Sequence, residues 1–363
     1  MLMLLPCSAQ TADTGPASAG PMAQGYPQQP GEQADAYPAQ VVESLPPYVP
    51  EHEVTGVIRI SGHASAKNPW MRQLVAAWQT DLQRFQSGLS LEYRMFGTSS
   101  AVPALFNGTA DIAILGEEID PVAVRTFERV MHHAPVGIDI ATGSVDIRNM
   151  DFAQMFFVNK ANPLTKLSLV ELDAIFGEEH RRGPSNIRTW GQLGLGGAWA
   201  DKPVHPYGWR IDDSFGYFLE QYLMQGSHHW NCDLREFSHI SRSDGTIYDS
   251  GQQILDALAK DPYGIAVSNM RYVGPDVRPL ALGMTPAGPF YAVNKQSLIE
   301  GTYPLTRRIP AVIDRAPGMP IDPRLKEFLR YLLSRDGQRV LLLDGRYLPL
   351  SAEAAVRERR KLE

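Results

Sequence analysis

Cysteine is nearly absent from this chain, with two in 363 residues, Cys7 and Cys232. Two cysteines cannot build a disulfide framework or a four-cysteine zinc site. Cys232, within HHWNCDL, reads as an inert, partly buried thiol. No run of about 18 or more apolar residues occurs, so no helix is expected to span a membrane. Basic excess is also lacking: 34 Lys and Arg stand against 40 Asp and Glu, a formal net charge of -6. A binder of phosphate backbones carries a basic patch or stripe, which argues against nucleic acid as a partner. There is no Gly-x-Ser-x-Gly elbow and no pairing of a nucleophile with a base, so no enzyme is expected. His63, Glu117 and Glu118 are chemically reasonable metal ligands. However, no His-Glu-x-x-His pair accompanies them, and the adjacent pairs His132-His133 and His228-His229 cannot easily face one ion. Neither metal nor cofactor is expected. GLGGAW, Gly194 to Trp199, lacks the Gly-Lys-Ser/Thr end of a P-loop and reads as a loop.

What is present is ordinary globular composition, 44% hydrophobic and 20% charged, at a length that favours two lobes over one. MLMLLPC places Cys7 directly behind a short apolar run, as in the remnant of a secretion signal ending at a lipidated cysteine. Residues 8 to 50 are rich in Pro, Gln, Ala and Gly without an apolar period, and read as a disordered tether. Order is expected to begin with the strand GVIRISG, Gly56 to Gly62. From Trp70 the positions Trp70, Leu74, Ala77, Trp78, Leu82 and Phe85 recur at helical spacing. An alternating strand follows, then the turn at Gly97, a short helix and the strand Ala110 to Leu115. This strand-helix alternation predicts open parallel sheets, whose ligands sit beyond the carboxyl ends of the strands. Further on, Ser168 and Glu171 are spaced as a capping box at a helix start. The C-terminal part predicts a strand in GTYPLTRRIPAVI, a helix around Leu325 to Leu333, and a strand over Val340 to Leu343.

Several landmarks then occur in one order: SGHAS, GTSSAVPAL with GTADIAI behind it, VNKANPLTKLSLVELDAIF, RIDDS, YGIAVSN, GTYPLTR and YLPL. With them the chain resembles the substrate-binding proteins of phosphate ABC transporters, of the type II periplasmic binding superfamily, from about Gly56 to Ser351. The resemblance implies a two-lobed α/β fold with the ligand cleft between the lobes. One lobe would take 54–160 plus 281–351 and the other 161–280, with 1–50 a tether and 352–363 a tail. It further implies a monomer outside the cytoplasm, on the periplasmic or extracellular face, that delivers a small anion, phosphate first, to an ABC transporter permease. Its one contact with a membrane would be a lipid anchor at Cys7. A tethered signalling protein on the same scaffold, with a different or lost ligand, is the alternative.

The same resemblance supplies the candidate ligand-binding residues. Ser65 matches the hydroxyl of the first loop and Thr98 and Ser99 match the serines of the second, although both could be plain helix caps. Arg210 matches the anion-binding arginine, Asp212 the carboxylate that steadies it, and Ser214 the first donor of the next helix. An exposed ion pair is the plainer account of Arg210 and Asp212. Glu117 could accept the proton of a monohydrogen phosphate. Three departures from the family pattern stand out. Phe215 follows Ser214 where the family has Gly and then Thr, Gly116-Glu117-Glu118 replaces a serine with its Asp or Arg, and His63 replaces a small residue. Arg307 and Arg308 read as surface or inter-lobe residues.

Overall fold

The computed structural model describes residues 32–63, 70–145 and 153–363. The chain falls into two compact units. The first draws on 32–152, 294–302 and 306–363, and the second on 153–293 and 303–305. In chain order the first unit begins with α1 (Glu32–Ser44), β1 (Gly56–Gly62), α2 (Trp70–Leu82), β2 (Leu89–Arg94), α3 (Thr98–Phe106), β3 (Ile112–Ile114), α4 (Pro121–Met131) and β4 (Val136–Thr142). The second unit follows with β5 (Met155–Asn159), β6 (Lys166–Ser168), α5 (Leu169–Phe176), β7 (His205–Trp209), α6 (Ser214–Tyr222), β8 (Arg235–Phe237), β9 (Ile240–Ser241) and β10 (Ile247–Tyr248). It ends with α7 (Ser250–Leu258), β11 (Gly264–Ser268), β12 (Val277–Pro279), β13 (Ala281–Gly283) and β14 (Phe290–Tyr291). The chain then returns to the first unit with α8 (Lys295–Glu300), β15 (Arg308–Ile313), α9 (Pro323–Leu332), α10 (Arg335–Asp344) and α11 (Ala352–Arg360).

The first unit is a mixed five-stranded sheet in the order β2-β1-β3-β15-β4. β1 runs parallel to β2 and β3, whereas β15 enters antiparallel between β3 and β4. Both faces are covered, as strands with parallel pairing require. On one face Trp70, Leu74, Trp78 and Leu82 of α2, one helical turn apart, pack with Ile58, Ile60, Leu89 and Leu91. On the other, Ala101, Val102 and Leu105 of α3 and Phe127 of α4 pack with Ala113, Leu115 and Val312. The second unit has a sheet of order β12-β5-β11-β7-β8, in which β7 is parallel to β8 and β11 and β5 is antiparallel to β11 and β12. The capping box forms at α5: Ser168 Oγ accepts the Glu171 N–H at 3.2 Å, and Glu171 Oε2 accepts the Ser168 N–H at 2.7 Å.

Four sequence expectations differ from the structure. The tether ends early, because α1 is ordered and Val42, Leu45 and Tyr48 are buried against the first unit. The Tyr48 hydroxyl donates to Glu327 Oε2 at 2.7 Å, and burial raises its pKa well above the ordinary phenol value. The lobe boundaries also move. β5 pairs with β11 and β13 pairs with β6, so both belong to the second unit. The strand expected at Val340–Leu343 is the end of helix α10, capped by Ser334 and stopped by Gly345 at φ 76°. Its leucines follow a helical period, with Leu341 buried and Leu343 81% exposed. Finally, the tail at 352–363 contains helix α11, with Ala354 and Ala355 of the helix and Leu362 beyond it buried.

A chain truncated to begin at Glu51 is therefore expected to unfold at lower denaturant than one beginning at Glu32. Tyr48→Ala alone is expected to cost about 3–5 kcal/mol, the usual loss for removing a large buried ring. A urea titration measures both. Equal midpoints for the two truncated chains would show that α1 contributes nothing.

Candidate functional site

The carboxyl ends of β1, β2 and β3 lie together in the first unit, where the Gly97 N–H donates to Gly62 O at 3.3 Å. β2 runs into Gly97, whose φ of 111° and ψ of 160° lie in a region that only glycine adopts readily. Gly97 occupies the N-cap position of α3, and no side chain caps this helix. Thr98 and Ser99 are therefore not N-caps. They open the first helical turn, Thr98 half-buried and Ser99 exposed. A helix N-terminus left bare of side-chain acceptors directs N–H groups and a partial positive charge outward.

His63 stands at the end of β1, its N–H donating to Ile114 O at 3.0 Å. Its ring Nδ1 lies 2.7 Å from Thr98 Oγ1. The ring rests directly over Gly116: a Cβ at 116 would come within 2.5 Å of the His63 ring. Two of the departures from the family pattern are thus one feature, because the larger residue at 63 occupies the space that a missing side chain at 116 leaves. Burial holds the His63 imidazole below its ordinary pKa. Glu117, half-buried, is the next residue along. Ser65 lies outside the described residues, as does Cys7.

Glu118 has a different role from Glu117. Arg307, 1% exposed, donates from Nε to both carboxylate oxygens at 3.1 Å and from Nη2 to Oε2 at 2.5 Å. Of the two expectations for Arg307, surface or inter-lobe, the buried guanidinium corrects the first, and the ion pair neutralises Glu118. Arg308 is likewise drawn inward, donating to Thr142 Oγ1.

In the second unit Arg210, Asp212 and Ser214 come together where β7 ends and α6 begins. Asp212 holds one edge of the guanidinium, accepting from Nε at 2.8 Å and from Nη2. That bonding raises the pKa of Arg210 further. The pair is more than half exposed, so it adds little stability. Gly216 is required here, since a Cβ would lie 2.6 Å from Ile211 O. Phe215 packs its ring against Trp209 at 4.8 Å. Asp213 was missed at the sequence level. It is the N-cap of α6, and its Oδ1 accepts both the Phe215 N–H and the Ser214 hydroxyl at 3.3 Å. An Asp directly before a helix was the available signal. Ser214 thus spends its proton on a neighbouring carboxylate in this structure.

Cys232 is exposed rather than partly buried and is not a free thiol. Among the described residues no group of three or more His, Cys, Asp or Glu is placed to hold a metal ion. No helix among them is long and apolar enough to cross a membrane.

Two mixed sheets with donor loops at the carboxyl ends of their parallel strands are the architecture of a periplasmic binding protein, and the PBP superfamily domain matches residues 49–336. The phosphate-binding protein PstS of two Pseudomonas aeruginosa strains is 30% identical over 320 residues, 87% of this chain and 91% of the relative. At that identity and coverage the chain belongs to the phosphate-binding protein family of this superfamily. Among solved structures, PstS from Borrelia burgdorferi matches with a TM-score of 0.53 at 14% identity, over 81% of this chain and 99% of that one, a likeness of fold.

Arg307→Met is expected to destabilise the protein by about 1.5–3 kcal/mol, because it removes the charged hydrogen bonds to the half-buried Glu118 carboxylate. Adding Glu118→Gln should recover most of that loss, and a double-mutant cycle of unfolding free energies reads the difference. Additive losses would mean that the two side chains act independently. At the other site, Asp213→Asn keeps a good cap and removes a negative charge from the start of α6. It is expected to tighten anion binding roughly two- to fivefold, as measured by titration calorimetry; unchanged or weaker binding would show that Asp213 does not oppose the anion.

Proposed function

We propose that this protein is an extracytoplasmic solute-binding protein that captures a small oxyanion, inorganic phosphate first, and hands it to the permease of an ABC transporter. The observation that carries this reading is the bare N-terminus of α3, with the Thr98 and Ser99 hydroxyls on its first turn. An oxyanion held without metal needs neutral N–H and O–H donors and a limited positive charge. Thr98, Ser99 and Ser65 supply hydroxyls, Ser214 adds one when its proton turns away from Asp213, and Arg210, steadied by Asp212, supplies the charge. Glu117 supplies the acceptor that selects a ligand still carrying a proton. The name of the Pseudomonas relatives supports phosphate as the ligand.

On this reading the protein acts as a monomer without cofactor and releases its ligand unchanged. The test is titration calorimetry of the wild type against phosphate and sulfate. Phosphate is expected to bind and sulfate to bind far more weakly. Arg210→Ala is expected to weaken phosphate binding roughly tenfold or more, since it removes the charged donor of the site. Glu117→Gln is expected to erode the discrimination against sulfate. If that change instead tightens both anions equally, Glu117 merely repels negative charge. No heat with either anion in the wild type would overturn phosphate as the ligand.

A further inference from the structure

We propose that His63 determines how the anion site uses protons: through Nδ1 it sets the direction of the Thr98 hydroxyl, so that the oxyanion is taken up together with a proton on His63. The proposal rests on the reading of Thr98 as an anion donor.

The geometry leaves the two groups little choice. His63 is fixed at its main chain by the bond to Ile114 O. Its ring lies over Gly116 and 5.4 Å from the ring of Trp70, which in turn packs on Tyr347 at 5.1 Å. So held, Nδ1 stays at 2.7 Å from Thr98 Oγ1. A hydroxyl has one proton to donate, and a neutral imidazole has one N–H and one lone pair. If Nδ1 carries the lone pair, Thr98 donates to it and has nothing left for an anion. If Nδ1 carries the proton, it donates to Thr98 Oγ1 and releases the hydroxyl proton toward the ligand. The imidazolium guarantees the second arrangement, because both ring nitrogens are then donors.

The charged surroundings decide when that happens. α2 contributes the uncharged Trp70, α3 contributes Thr98, and the C-terminal segment contributes Tyr347. Glu117 follows Gly116 in the loop after β3, while Glu118 is taken by Arg307. Burial is the cause of the lowered His63 pKa, which favours the neutral ring in the free protein. An anion arriving at Thr98 adds negative charge nearby and favours the cation. Between the free and bound pKa values a proton is taken up on binding, and affinity climbs as pH falls through that window. Gly116 is part of the device, because no other residue leaves room for the ring.

Titration calorimetry with inorganic phosphate, in buffers of different ionisation enthalpy, counts the protons taken up by the wild type, His63→Gln and His63→Ala. Comparing proteins at one pH cancels the titration of phosphate itself. The wild type is expected to take up as much as one proton more per anion than either variant. Within the window its affinity should change roughly tenfold per pH unit relative to His63→Gln, the slope of one linked proton. His63→Ala, which cannot orient Thr98, is expected to bind about fivefold more weakly than His63→Gln, the loss of one hydrogen bond. Should the variants fail to fold, the His63 ring proton shifts of the wild type in NMR, titrated with and without phosphate, are expected to show a higher pKa in the complex. Equal proton uptake in wild type and variants that all bind phosphate, or an unchanged His63 pKa, would overturn the coupling and leave the anion site standing. A wild type that binds no phosphate would overturn both.

Discussion

The first unit depends on β15 entering its sheet antiparallel between β3 and β4. β3 and β4 do not pair with each other; β15 pairs with both, and without it each would present an unpaired edge. The strand carries Pro310, which has no N–H to give, and the register with β4 shifts at Ile309/Pro310. The Pro310 carbonyl still accepts from Leu115 at 3.0 Å, so pairing with the β3 side continues through the proline.

This one strand reaches the candidate site through Arg307. The residue before β15 is delivered beneath the loop that follows β3, where its guanidinium takes the Glu118 carboxylate from two directions. Residues 116 to 118 are thereby held at both ends, by strand pairing before and by a buried ion pair after. Gly116 can then serve as a fixed floor for the His63 ring, and the ring as a fixed neighbour for Thr98. A buried ion pair is weak evidence for stability, since its desolvation cost rivals its attraction. Its value here is positional, because it fixes the loop after β3 against the start of β15.

Features with strong local signals were legible in the sequence. The spacing of Trp70, Leu74, Trp78 and Leu82 is the spacing of α2, and Ser168 with Glu171 marks the start of α5 because the cap is made within three residues. Arg210 and Asp212 lie two apart, so their pairing needed no tertiary information. The misses share a cause. Val340 to Leu343 is a short apolar run that periodicity cannot assign, and the flanking Ser334 and Gly345 decided in favour of a helix. Residues 32 to 48 looked like a tether because their few apolar residues, Val42, Leu45 and Tyr48, acquire meaning only against α10 and Glu327. Arg307 looked exposed because its partner lies 189 residues away. His63 and Gly116 looked like two separate oddities until the strands placed one over the other.

The central claim is that this scaffold carries phosphate. A native mass spectrum of the protein, incubated with equal concentrations of phosphate and sulfate and then exchanged into volatile buffer, addresses it directly. One retained phosphate per chain, with no retained sulfate, is the expected result. Bare protein, or equal occupancy by both anions, would contradict it.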